Sequence, residues 1–261
     1  MRTLKAVSRF TALVLCIVAA HAQERPFLFS LVAPDATHRA VVVHYDAAYG
    51  QETFEPMGGD RIEQTLGIHA AFGESVTLIA RFGFAFHGAS NASSQHAELL
   101  LHVLKSADGP FDLSIGPGLR HEYSGTNVLL GRAVLGRRFS TWQLYGNLLL
   151  EKPLSTQRDA IDLFMTLGWS YDLSAAFQCG IEAVGQDLEG FWDENEAEGG
   201  AVLFAGPTFS AAIPGTPWTF TLGAGPIVRA THSIRTASPA RDLPTPRDNG
   251  FVVHAAVNFA W

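Results

Sequence analysis

Cysteine is nearly absent. Only Cys16 and Cys179 occur in 261 residues, too few to staple a chain of this length or to build a cysteine-rich zinc site. Positive charge is scarce as well: 18 Lys and Arg stand against 25 Asp and Glu, a formal balance of −7, with no basic patch. A nucleic-acid partner, whose phosphates must be neutralised, is therefore excluded. Beyond residue 22 no stretch approaches ~20 consecutive apolar residues, so neither a transmembrane helix nor a stop-transfer segment is expected. Disorder is excluded too, because 47% of the chain is hydrophobic. If this chain crosses a membrane, strands must do it.

The first residues read as an address. Arg2, Lys5 and Arg9 precede an apolar run over 10–20 that is too short to span a bilayer, and Ala20-His21-Ala22 places small residues at −3 and −1. That is a secretory signal peptide, 1–22, with cleavage after Ala22. Leu15, not a small residue, precedes Cys16, so a lipoprotein anchor is not expected. The segment carries basic residues and no acidic ones, so its loss makes the exported chain more acidic still.

The rest of the chain has the period of strands. Near the end, Phe251, Val253, Ala255, Val257, Phe259 and Trp261 share one face, and Val252, His254, Ala256, Asn258 and Ala260 the other. Strands are predicted at 38–49, 60–72, 75–88, 95–105, 110–123, 126–138, 141–151, 159–171, 175–188, 200–212, 216–230 and 250–261. Pro226 is awkward inside a strand and marks a bulge or an early end. Connections at 73–74, 106–109, 138–140, 172–174 and 213–215 are short, whereas 189–199 and 231–249 are long. Short turns at one end and long loops at the other predict an all-β fold, an antiparallel up-and-down transmembrane β-barrel of about 12 strands over 37–261 in an outer membrane. Residues 23–36 are too brief for a plug domain; they are read as an N-terminal periplasmic segment, and a tuck into the lumen is the other placement left open.

Alternation alone does not separate such a barrel from a soluble sandwich, but the aromatic positions do. With the N-terminus in the periplasm, Phe72, Phe111, Trp142, Trp169, Tyr171, Phe177, Trp218 and Trp261 fall on apolar faces near the short turns. They form an interfacial girdle. Tyr49, Phe86, Tyr123 and Phe251 form a sparser set near the long loops.

Two stretches carry a resemblance. Phe259-Ala260-Trp261, after apolar residues at every second position, resembles the C-terminal signal of bacterial outer-membrane proteins, with Trp where Phe is commoner. It implies a Gram-negative-type host, contact with outer-membrane lipid and lipopolysaccharide, and recognition of Phe259 and Trp261 by barrel-insertion machinery. Residues 180–191 followed by Gly206-Pro207-Thr208 are similar to a strand-loop-strand pattern in uncharacterised bacterial outer-membrane proteins, including those named after a phenol-degradation pathway. That resemblance implies a channel for hydrophobic or small organic compounds.

A twelve-stranded barrel has a bore between that of a side-chain-filled small barrel and an open porin. On this register Arg81, Arg120, Arg132 and Arg229 point inward, opposite Glu63, Glu98, Glu122, Asp162 and Glu182, with His254 beside them. Either these charges simply pair across a narrow interior, or they form a constriction whose transverse field selects small polar solutes. Six histidines, His44, His69, His87, His96, His102 and His254, also point inward, but they are spread over several strands and depths. Neither a metal site nor a cofactor is expected. The acidic run 187–198 reads as a solvated loop, with cation collection beside lipopolysaccharide as the sharper reading. Arg235, Arg241 and Arg247 in 231–249 are placed to lean toward that run or into the barrel mouth, and Pro239, Pro244 and Pro246 point to an ordered or extended lid without regular structure. Barrel lipid hydrolases use an H-x-S pair on one strand face; here no mature His has Ser two positions on, and His87 with Ser90 has the wrong spacing and lies at a loop. The chain is expected not to be an enzyme. Passive passage of small solutes is the function the sequence favours, with a structural or adhesive barrel lacking a pore, or a barrel lipid hydrolase, as alternatives.

Overall fold

The computed structural model describes residues 25–32, 41–50, 61–87, 90–106, 108–154, 160–195, 199–233 and 249–260. The segment 1–22 expected to be a signal peptide, residues 234–248 of the expected lid, and Trp261 lie outside these. Twelve strands follow one another: β1 (Val41–Gly50), β2 (Arg61–Phe72), β3 (Val76–His87), β4 (Ser90–Leu104), β5 (Asp112–His121), β6 (Asn127–Arg138), β7 (Trp142–Pro153), β8 (Asp162–Asp172), β9 (Phe177–Gln186), β10 (Val202–Ala212), β11 (Trp218–Arg229) and β12 (Gly250–Ala260). Each pairs antiparallel with its neighbour in sequence, and β1 pairs with β12, so the barrel closes. Closure leaves no unpaired edge.

The alternation in sequence decides which way each residue points. Phe82, Leu101 and Leu167 lie on the outside, Leu167 53% exposed. Phe72, Phe84, Leu119, Phe177, Ile181 and Phe209 are outside with them, an apolar surface far beyond what a water-facing wall tolerates. Two stacked sheets with these residues in a dry centre are thus excluded. Of the girdle, Phe72, Trp169, Tyr171, Phe177 and Trp218 are exposed at the short-turn end, and Trp218 meets Phe259 edge to face at 4.8 Å. At the other end Tyr49, Phe86 and Phe251 are exposed, but Tyr123 departs from the expected set. Its hydroxyl donates to Glu63 at 3.4 Å, which turns it toward the lumen.

The largest difference from the predicted bounds is at β4. β4 begins at Ser90, five residues early, because the polar run Asn91–Gln95 pairs with the Phe-rich end of β3 although it lacks an apolar alternation of its own. Ser90 therefore lies in a strand and not in a loop, opposite His87 in the register. Pro226 neither ends β11 nor shifts it: the pairings Phe204 with Ile227 and Thr208 with Gly223 keep one register on both sides of the gap at the prolines. The long-loop end also has a tight connection at 122–126, closed by Glu122 N donating to Thr126 O and by Gly125 at φ 84.

Candidate functional site: the lumen

The inward faces of β12, β1, β2, β3, β4 and β5 bring one rung of side chains together. In register it runs Asn258, His44, Gly67, Arg81, His96, Arg120. Strands stand about 4.8 Å apart, so neighbours on this rung are within side-chain reach. All ten predicted lumen residues do point inward. Glu63, Arg81, Glu98, Arg120, Glu122, Arg132, Asp162, Glu182 and His254 are buried, and Arg229 is half-buried at the long-loop end.

They are not arranged as two opposed banks. Arg132 donates from Nε and Nη2 to Glu98 at 2.7 and 2.9 Å, and His96 shares the same carboxylate at 2.5 Å. Arg120 reaches Glu122 at 2.7 Å and binds Glu151 on β7 with both terminal nitrogens. These are direct pairs between nearby strands, the arrangement that best offsets the loss of hydration on burial. Arg229 bonds the carbonyls of Gly199 and Gly200 at 3.0 and 3.4 Å. Glu182, across the bore on β9, has a different role.

Residues 25–32 run inside the barrel, which differs from the periplasmic placement. Arg25–Leu31 are buried throughout. The Arg25 guanidinium forms a two-pronged pair with Asp46 at 2.7 and 3.0 Å. Glu182 accepts the backbone N–H groups of Leu28, Phe29 and Ser30 at 2.8, 3.1 and 2.8 Å. The Asn147 side-chain amide accepts from Leu31 N at 2.9 Å and donates to Leu31 O at 3.0 Å, and Thr221 donates to Arg25 O at 3.0 Å. A chain segment taken out of water must find partners for its peptide groups, and the wall residues Glu182, Asn147 and Thr221 supply them.

The far half of the bore carries an apolar cluster. Val128, Leu130, Leu149, Phe164, Val184, Val202, Phe204, Ile227 and Val252 point inward and pack with Leu28 and Phe29. Phe27 and Leu31 join a second group with Ile79, Leu100, Val134 and Tyr145. Glycines leave the seats: a Cβ at Gly168 would stand 2.8 Å from the Phe27 ring, and one at Gly223 2.7 Å from Leu28 Cδ1. The lumen is thus mixed: most of its ion pairs lie along β1–β7 and its larger apolar cluster along β6–β12, where Asp162, Glu182 and His254 are also buried. Sequence reasoning missed this apolar cluster, and with it Asp46, Asn147 and Glu151 as partners. The available signal was that strands such as 127–135 read apolar on both faces.

The described histidines lie at several depths of the bore. His102 is held between the hydroxyls of Thr77 and Ser114 at 3.0 and 2.8 Å, and His254 lies edge-on to Phe29. His44 and His69 meet, with ring centroids 4.9 Å apart. Among the described residues no group of three or more His, Cys, Asp or Glu is placed to hold a metal. The side chains of His87 and Ser90 lie outside the described residues. The acidic run is only partly solvated. Asp187 and Glu189 are buried, Glu189 accepting from Leu163 N at 2.7 Å, while Asp193 and Glu194 are exposed.

No family model matches the chain, and no curated protein matches it. Solved structures do. The KdgM porin superposes with a TM-score of 0.56 at 11% identity, covering 84% of this chain and 99% of that one. An outer-membrane channel from Pseudomonas putida F1 does so with 0.54 at 9% identity, covering 92% and 99%. The fold is that of outer-membrane channels. The phenol-degradation resemblance receives no support from family models.

Proposed function

We propose that the protein is an outer-membrane channel for passive passage of small solutes, closed by its own N-terminal segment. One observation carries this reading: the bore is filled not by the barrel wall alone but by residues 25–32, a piece of chain outside the strands. Were a twelve-stranded barrel merely structural, wall side chains could be lengthened to fill it. Here glycines at 168 and 223 instead leave room that the segment occupies. Withdrawal of the segment would leave a passage lined by both charged and apolar groups. Glu63, Arg81, Glu98, Arg120, Glu122, Arg132, Asp162, Glu182, Arg229 and His254 then line the path and set its selectivity. The mixed wall and the resemblance of 180–191 and 206–208 support small organic compounds as cargo, and the solved KdgM complex contains oligogalacturonate.

Location follows the same logic. The apolar belt contacts outer-membrane lipid, with lipopolysaccharide in the outer leaflet. Phe259 and Trp261 engage the insertion machinery, and the signal peptide that directs export is cleaved after Ala22. The chain carries no proposed catalytic pair.

Liposome swelling tests the reading. Vesicles holding the chain without residues 23–36 are expected to admit small sugars and organic acids and to swell, and vesicles holding the full mature chain to swell more slowly. A structural barrel is favoured by the filled lumen itself, and it predicts no swelling from either chain although both barrels are folded.

A further inference from the structure

The wall of the bore addresses residues 25–31 largely through their main chain. Glu182 accepts the N–H groups of three successive residues, Leu28, Phe29 and Ser30. The Asn147 carboxamide meets both peptide groups of one residue, accepting from Leu31 N and donating to Leu31 O. Thr221 donates to the Arg25 carbonyl. These three wall residues stand on β9, β7 and β11 and are at most 2% exposed. Successive N–H donors at backbone spacing are what a peptide offers and a sugar or a simple organic acid does not.

Side chains are read at a few seats. Arg25 forms its two-pronged pair with Asp46 and also reaches Asn258 at 3.5 Å. Phe27 is fully buried against Gly168, in one apolar cluster with Ile79 and Leu100. Leu28 lies against Gly223, and the Phe29 ring stands 5.3 Å from that of Phe204 and 5.1 Å from that of His254. The order is thus a basic residue and, two positions on, three apolar residues in a row.

We propose that this seat is a peptide-binding site, that the cargo of the channel is a short peptide with this order, and that residues 25–31 occupy the seat as a tethered competitor which such a peptide replaces. When Arg25 leaves, Asp46 is a buried carboxylate without its guanidinium, and a cationic occupant restores the pair. An organic acid would instead bring negative charge to Asp46 and Glu182. A neutral sugar supplies no cation for the first and no row of N–H groups for the second. The inference rests on the channel reading, whose substrate class it names, but its test measures binding and not conduction.

A tethered occupant competes at a high effective concentration, so the test unlinks it. The full mature chain, with a protease site placed within 33–40, is folded in detergent micelles and then cut. Exchange of the cut segment for a radiolabelled peptide of residues 23–32 is followed by equilibrium dialysis, with uptake by empty micelles subtracted. Saturable uptake at one site is expected from the cut chain, and far weaker uptake from the uncut chain. Arg25→Gln in the peptide is expected to weaken binding about tenfold or more, the loss of a charged hydrogen-bonded contact. That difference should vanish in an Asp46→Asn barrel; if this variant does not fold, the peptide substitution still reads the contact on the parent barrel. The peptide Arg-Ala-Phe-Val-Leu-Thr-Ile, which keeps the order and not the sequence, is expected to displace the label. The reversed peptide Leu-Ser-Phe-Leu-Phe-Pro-Arg is expected not to. A segment that does not exchange, equal uptake by the uncut chain, unchanged binding of the Arg25→Gln peptide, or displacement that ignores the order overturns the proposal. So does a seat that takes its own sequence and refuses the ordered peptide. Peptide exchange without conductance would strike the channel reading alone, and conductance without exchange this inference alone.

Discussion

Arg25 and Asp46 meet inside the barrel through two parallel hydrogen bonds of 2.7 and 3.0 Å, and this pair ties the N-terminal segment to β1. Both side chains are about 8% exposed. Breaking a buried pair from one side costs about 3–5 kcal/mol, because the remaining charge is left unmatched. Asp46→Asn is therefore expected to raise the released fraction of the segment by about two orders of magnitude or more. Limited proteolysis of the mature chain reads this directly, as faster cleavage within 23–36 while the barrel stays intact.

Glu182 should act in the same direction with a smaller effect. Its carboxylate accepts from three successive backbone N–H groups, and Glu182→Gln removes the charge and one acceptor oxygen. A hydrogen bond to a charged group contributes about 1.5–3 kcal/mol. The amides of Leu28, Phe29 and Ser30 are expected to exchange at least tenfold faster in the variant, and those of β9 at an unchanged rate.

Gly168→Val tests packing without touching charge. The added side chain would collide with the Phe27 ring, already 2.8 Å from a Cβ at this position. The segment should be expelled while the barrel remains closed, giving faster proteolysis of 23–36 at an unaltered heat-modifiable gel shift.

The outer wall makes a separate prediction. Leu167 lies outside and in mid-strand on β8. Leu167→Arg is expected to cost about 2–4 kcal/mol in a bilayer, the range for a cation facing lipid near the midplane. Reversible guanidinium unfolding in vesicles measures it. A change near zero would mean that water, not hydrocarbon, touches that face.

The barrel was legible because most strands carry a period of two and because closure asks nothing further of the sequence. Inward placement of the charged residues followed from the same period: one parity places Arg81, Glu98, Arg132 and Glu182 on a single side of the wall. Their partners were not legible. Arg120 finds Glu151 two strands away, a pairing set by stagger and curvature that periodicity does not encode. The polar run Asn91–Gln95 gave no strand signal, since its pairing is imposed by β3. The segment 25–32 was the largest gap. Phe27, Leu28, Phe29 and Leu31 look like an unplaced apolar stretch, and their seat emerges only when Val128, Phe164, Val184 and Phe204, each on an apolar second face, are brought around one bore.

Single-channel recording in planar bilayers tests the central claim most directly. The chain lacking residues 23–36 is predicted to give stepwise, long-lived conductance, and the full mature chain to give the same steps rarely and briefly. If a barrel verified as folded gives no steps from either chain, or if the full chain conducts as steadily as the shortened one, the account of a channel closed by its own N-terminal segment is contradicted.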